Sequence, residues 1–144
     1  MPREITLYCF GLAALWDGTT TAFGIAGIIG ADGFWSYVFC LVGGVVILGF
    51  GISTREIFAN SAMPYPVLKA LWWTAFSFDV ATSWYGNVAY IVLHKRPDGL
   101  LDALTSLTLP QLLLALGLTV LVSSAPVMLS YFLEAPAGKE RATA

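Results

Sequence analysis

The order of apolar and polar positions divides the chain into four long apolar segments, which predict an all-α integral membrane protein. The segments cover residues 5–29, 34–52, 69–93 and 108–132. Each is close to or above the roughly 20 residues that an α-helix needs to cross a bilayer. We therefore predict a four-helix transmembrane domain over residues 1–134, followed by a polar C-terminal tail over residues 135–144.

Three polar connections set the order of these helices. The first, Gly30 to Gly33, is a tight turn that predicts an antiparallel helical hairpin. Longer polar stretches, residues 53–66 and 94–107, follow the second and third segments. These lengths predict two consecutive hairpins with little mass outside the membrane.

The first and third segments carry the same pattern of small and polar residues around one aspartate. An Ala lies four residues before the acid, a Thr three after it, a Thr or Ser four after it and a Gly seven after it. At about 100° per residue, these offsets share an arc of about 100° on one helix face. We call the two faces the small-polar stripes, and they are consistent with a parallel internal repeat, by duplication or by convergence. The first stripe is Ala13, Asp17, Thr20, Thr21 and Gly24, and the second is Ala75, Asp79, Thr82, Ser83 and Gly86.

The two stripe acids are the residues that helix packing explains least well. An Asp at the centre of a spanning helix costs about 2.5 to 3.5 kcal/mol and usually faces a bundle interior or a wet cavity. The sequence places no Lys or Arg at the depth of Asp17 and Asp79. We therefore expect the acids to be protonated, hydrogen-bonded, bound to a cation or matched by a base of a partner subunit. If they meet, at least one retains its proton.

The stripe hydroxyls have two competing roles. They are suited to ligate Na⁺ or relay protons, because hard cations prefer oxygen. They are equally suited to hydrogen-bond between closely packed helices, next to small residues. Several residues of the other two segments lie at a similar depth, and Pro126 frees the backbone carbonyl of Val122. These residues are Gly43, Gly44, Thr119, Ser123 and Ser124.

Composition supports the membrane assignment and suggests its orientation. Hydrophobic residues make up 58% of the chain and charged residues 11%, against about 25% in soluble domains. A net charge of −2 without a basic cluster argues against nucleic-acid binding. Basic flanks favour the cytoplasm, so we predict that both termini are cytoplasmic. That orientation places Arg3, Arg55, Lys69, Lys139 and Arg141 inside, and Lys95 and Arg96 outside.

Enzymatic and cofactor chemistry lacks the required residue sets in the sequence. His94 is the only histidine, so a bis-histidine site and a base beside a buried serine are both disfavoured. We expect no cofactor, no resident metal and a function that is not enzymatic, with a membrane-embedded enzyme as the alternative. Trp16 and Trp84 lie nearest the acids, where core or lipid-facing packing is the default interpretation and a ligand-pocket wall the alternative.

These patterns lead to two functional expectations. The first is a protein that acts by helix packing, as a self-associating unit or as an accessory subunit of a larger membrane complex. The alternative is a proton or monovalent-cation channel or transporter that uses Asp17 and Asp79. The expected partners are the lipid bilayer and either other membrane subunits or further copies of this chain.

Overall fold

A computed structural model describes residues 3–95 and 97–133, and the regular structure within these ranges is entirely helical. The all-α fold class is therefore confirmed. The predicted tail, residues 135–144, lies outside the described residues. The helices are α1 (Arg3–Ile29), α2 (Phe34–Ile52), α3 (Thr54–Ala59), α4 (Tyr65–Asn87), α5 (Leu100–Thr105) and α6 (Leu109–Leu133).

Three of the four long helices, α1, α2 and α6, are long and apolar enough to cross a membrane, which indicates a membrane protein. The prediction of four such helices is wrong for α4. That helix has 23 residues, enough in length, but its sequence includes Lys69, Asp79, Asn87 and several hydroxyl side chains. These polar positions lower the apolarity of α4: Asp79 and Asn87 are buried, whereas Thr74 and Ser77 are exposed.

The third predicted segment, residues 69–93, differs from the observed helix at both ends. Helix α4 begins at Tyr65, and Pro66 occupies its first turn, where a missing N–H does not break the helix. The α-helix ends at Asn87, and a wider π-helical turn covers Val88–Val92. In that turn the Leu93 N–H donates to the carbonyl oxygen of Val88 at 2.9 Å. Short helices α3 and α5 occupy the two longer connections.

Helix α1 lies at the centre of the bundle and packs against α2, α4 and α6. It runs parallel to α4, since Asp17 contacts Asp79 and Gly24 lies beside Gly86. It runs antiparallel to α6, whose C-terminal end packs on the N-terminal end of α1. By contrast, α2 has only two buried residues, Cys40 and Gly44, and presents most of its surface outward.

The close approach of α1 and α4 depends on one glycine in each helix. A Cβ atom on Gly24 would overlap the carbonyl oxygen of Thr82, and a Cβ atom on Gly86 would overlap the carbonyl oxygen of Thr20. The contact is reciprocal, because the glycine of each stripe lies against the backbone of the other stripe. Any side chain at either position requires the two backbones to separate.

We expect Gly24→Ala to destabilise the protein, by about 1 to 3 kcal/mol as for other overpacked sites. The matched control is Gly11→Ala in the same helix, because a Cβ there meets no atom within 4 Å. The free energy of unfolding in mixed detergent micelles measures both variants. Equal stability of the two variants would contradict the interpretation that backbone contact at Gly24 holds α1 against α4.

Candidate functional site

The carboxyl groups of Asp17 and Asp79 meet at the centre of the α1–α4 interface. Their residues are 1% and 5% exposed, respectively. The two carboxyls interact electrostatically with each other, and the hydrogen bonds that they make among the described residues are to hydroxyl groups. The two acids therefore lie together inside the protein.

The hydroxyl four residues after each acid binds the acid of the other helix. Thr21 Oγ1 lies 2.5 Å from Asp79 Oδ1, and Ser83 Oγ lies 3.1 Å from Asp17 Oδ1, each at hydrogen-bond distance. Each hydroxyl donates to its acid when that acid is ionised and accepts from it when that acid carries the proton. The hydroxyl oxygens of Thr21 and Ser83 are themselves 2.7 Å apart, which is a short hydrogen bond. The four groups therefore form a continuous hydrogen-bonded chain from one carboxyl to the other.

The hydroxyl three residues after each acid has a different role. Thr20 Oγ1 donates to the carbonyl oxygens of Trp16 and Asp17, at 3.2 and 3.0 Å. Thr82 Oγ1 makes the equivalent bonds in α4, at 2.9 and 3.1 Å. These bonds to carbonyls stay within one helix and are typical of Thr in apolar helices. Thr20 Oγ1 also lies 3.3 Å from Ser83 Oγ across the interface. Only the hydroxyl at the fourth position of each stripe serves the acids.

Helix α6 adds a third donor to the pair. Ser123 Oγ donates to Asp17 Oδ1 at 2.9 Å and borders the same small cavity as Asp79. Its neighbour Ser124 donates instead to the carbonyl oxygen of Leu121 at 2.9 Å. Of the α6 hydroxyls that the sequence placed near the acids, Ser123 is therefore the one that reaches them.

The remaining stripe residues line the helix contact. Gly24 and Gly86 are buried at the crossing, whereas Ala13 and Ala75 are half-buried. The bond pattern and the glycine contacts relate the two stripes by an approximate two-fold exchange of α1 and α4. The origin of this pattern as an internal repeat stays a prediction.

A small cavity of about 10 Å³ borders both carboxyls and Ser123. That volume is close to what one water molecule requires. Its other walls are apolar, and they include Phe50, Phe76 and Pro126. The cavity therefore brings the acid pair into contact with a space of about the size of one water, lined otherwise by apolar residues.

Asn87 is a buried polar residue of this region that the sequence analysis missed. It is 0% exposed, and its Nδ2 donates to Thr119 Oγ1 on α6 at 3.1 Å. The signal was present in the sequence, because Asp79, Ser83 and Asn87 follow each other at intervals of four residues on one helix face. The buried polar side chains of α4 therefore continue one turn beyond Ser83, the last hydroxyl of the stripe.

The chain matches no protein-family model, no curated protein and no solved structure. Within the described residues, no group of three or more His, Cys, Asp or Glu side chains is placed to hold a metal ion. The groups available for chemistry at this site are two carboxyls and three hydroxyls beside a small cavity.

We expect Thr21→Val to destabilise the protein by about 0.5 to 2 kcal/mol, the range for hydrogen bonds between membrane helices. The change keeps the shape of the side chain but removes the donor to Asp79. Thr19→Val is the control, since Thr19 is exposed and bonds only the carbonyl oxygen of Leu15 in its own helix. The free energy of unfolding in mixed micelles is measured for both variants. A larger loss of stability in the Thr19 variant would refute the role of Thr21 as a hydrogen-bond partner of Asp79.

Proposed function

We propose that Asp17 and Asp79 form a proton-binding centre, and that the protein moves protons across a membrane as a small channel or transporter. The observation that supports this proposal is the hydrogen-bonded chain that joins the two buried carboxyls through Thr21 and Ser83. A proton-transfer function uses every polar group in this chain, whereas helix packing alone requires no acid.

Counting hydrogens along the chain supports a bound proton. The chain has three short contacts, Asp79 to Thr21, Thr21 to Ser83 and Ser83 to Asp17, and each requires one hydrogen between its two oxygens. The two hydroxyls supply two hydrogens. The third must reside on a carboxyl, because a contact without hydrogen would oppose two oxygen lone pairs. At least one acid is therefore neutral in the fully bonded arrangement.

The same chain provides a path for that proton. With the proton on Asp79, the bonds run from Asp79 to Thr21, from Thr21 to Ser83 and from Ser83 to Asp17. Moving each hydrogen across its own contact reverses all three bonds and leaves the proton on Asp17. No heavy atom has to exchange partners, so either acid can bind the one proton.

A proton suits this centre better than a metal cation such as Na⁺. A hard cation is held by several oxygens that point to a common centre. Here the oxygens of Thr21, Ser83 and the two acids lie 2.5 to 3.1 Å from one another in hydrogen bonds. The adjoining cavity has room for about one water and borders only part of this oxygen set.

The proposal includes α4 as a fourth membrane-crossing helix and keeps both termini cytoplasmic. Helix α4 is long enough to cross, and its buried polar residues Asp79, Thr82, Ser83 and Asn87 are shielded from lipid within the bundle. Ionisable residues of membrane helices usually face a bundle interior in this way. The excess of basic residues on the predicted inner side supports the orientation.

We expect the parent protein in proteoliposomes to dissipate a pH gradient. In the double variant Asp17→Asn, Asp79→Asn, the gradient should decay only as slowly as in protein-free liposomes. The amide keeps the size of the carboxyl but does not release its proton near neutral pH. The exposed acid Asp32 offers the matched control, Asp32→Asn, for which we expect parental flux. A fluorescent pH indicator inside the vesicles measures the flux.

Two outcomes would contradict the proton function. One is a double variant that conducts like the parent, and the other is a parent that dissipates no gradient in either direction. An infrared measurement adds a readout that does not depend on flux. We expect the carbonyl band of a protonated aspartic acid in the parent and in Asp32→Asn, and its absence in the double variant.

A second candidate function, assembly with other membrane helices, is favoured by the outward face of α2. Phe39, Val42 and Val45 are 68%, 56% and 61% exposed, and the small-polar stripes are already occupied within the chain. A self-associating or accessory role would therefore use α2 and not the stripes. Further copies of this chain or other membrane subunits are the partners that such a face accommodates.

For this candidate, we expect Val42→Trp to lower the mass of the complex purified in mild detergent to that of one chain. Val120→Trp on the exposed face of α6 is the control, since Val120 is 64% exposed and the change has the same size. Native mass spectrometry provides the masses. A parent protein that is purified as a single chain without partners would remove the support for assembly.

A further inference from the structure

Two buried polar atoms beside α6 have no hydrogen-bond partner among the described residues. They are the indole Nε1 of Trp84 and the amide Oδ1 of Asn87. Leaving such a group unpaired is destabilising, and buried polar groups in folded proteins are normally bonded to protein or to ordered water. Neither atom belongs to the hydrogen-bonded chain between the acids.

The two atoms belong to neighbouring side chains. Trp84 and Asn87 are three residues apart in α4, which places their Cβ atoms about 5 to 6 Å from each other. Asn87 bonds Thr119 of α6, and Trp84 packs against a buried cluster that includes Val88 and Ala89 of the π-helical turn and Ala115 of α6. Both side chains therefore lie at the end of α4 where the π-helical turn begins.

Their hydrogen-bonding requirements are complementary. The indole nitrogen only donates, and the amide oxygen only accepts. One water molecule satisfies both, because it accepts from Trp84 Nε1 and donates to Asn87 Oδ1. If the amide is turned over, its NH₂ group becomes the unpaired group, and the same water then accepts from both side chains. A bound water has two protein partners in either orientation, the minimum that buried waters normally have.

We propose that Trp84 and Asn87 together bind one water molecule, and that this water extends the polar network of the acid pair toward the end of the bundle at Val88–Val92. Polar side chains follow one another at intervals of one turn in both α4 and α6. Ser83 and Asn87 are one turn apart in α4, and Ser123 and Thr119 are one turn apart in α6. The π-helical turn begins directly after Asn87, and such turns are frequent at functional sites.

The water site itself does not depend on the proton function, but its role as a step of a proton route does rest on it. An amide and an indole near neutral pH do not release protons to a neighbour, whereas a water molecule both accepts and donates them. Trp84 and Asn87 are therefore positioning residues. On the other side of the acids, the cavity is walled by aromatic groups such as Phe50 and Phe76. The polar side chains continue from the acids toward Asn87, so we place the proton route on that side.

The water site is tested by solution NMR of the ¹⁵N-labelled protein in nanodiscs. We expect the Trp84 indole proton, identified by its loss in Trp84→Phe, to show a cross-peak to water. This cross-peak should disappear in Asn87→Leu and persist in Asn60→Leu, since Asn60 is exposed and donates to the carbonyl oxygen of Glu56. An indole proton with cross-peaks only to lipid acyl chains would overturn the water site.

Proton flux tests the route separately. We expect Asn87→Leu and the milder Trp84→Phe to slow flux severalfold, with Asn60→Leu unchanged and the infrared band of the protonated acid retained in all three. Parental flux in both site variants would overturn the route while leaving the acid pair as the proton-binding centre. A water cross-peak in a parent protein that moves no protons would support the water site and refute the proton function.

Discussion

The contact of two helix backbones at Gly24 and Gly86 is the constraint on which the polar centre depends. The missing side chains let each glycine lie against a carbonyl of the opposite helix, one turn after the residues that bind the acids. At that separation, a hydroxyl on one helix reaches a carboxyl on the other without an intervening group. A wider spacing would leave Thr21 and Ser83 unable to reach Asp79 and Asp17, so that Asp79 would lose its hydroxyl partner and Asp17 would retain only Ser123 among the described residues.

The reciprocal geometry explains why neighbouring hydroxyls in one stripe differ in role. Residues three and four positions after an acid are about 100° apart around the helix axis. Thr20 and Thr82 bond the carbonyls of their own helices and no acid, whereas Thr21 and Ser83 cross the interface to the acids. The two-fold exchange is broken by α6, because Ser123 donates to Asp17 Oδ1 at the same oxygen that accepts from Ser83.

Much of this arrangement could be predicted from the sequence, since it depends on local periodicity. The helical class, the bounds of α2 and the burial of the stripe acids follow from apolar length and from residue offsets. The apolarity of α4 was predicted wrongly because the third segment was assigned by length and general apolar character, although its polar face is wider than the stripe alone. Ser123 and Asn87 depend on the placement of α6, which no spacing within one helix specifies.

The acids distinguish this interface from one built for packing only. Gly, Ser and Thr suffice to bring membrane helices together, and they do so without the cost of a carboxyl. Two ionised carboxyls at about 4 Å, with an effective dielectric constant of about 20, would repel each other by about 4 kcal/mol. A bound proton removes that repulsion and completes the hydrogen bonds between α1 and α4. In the proposed function, proton occupancy and the association of these two helices are therefore linked, so that a proton leaving the pair weakens the contact that formed its binding site.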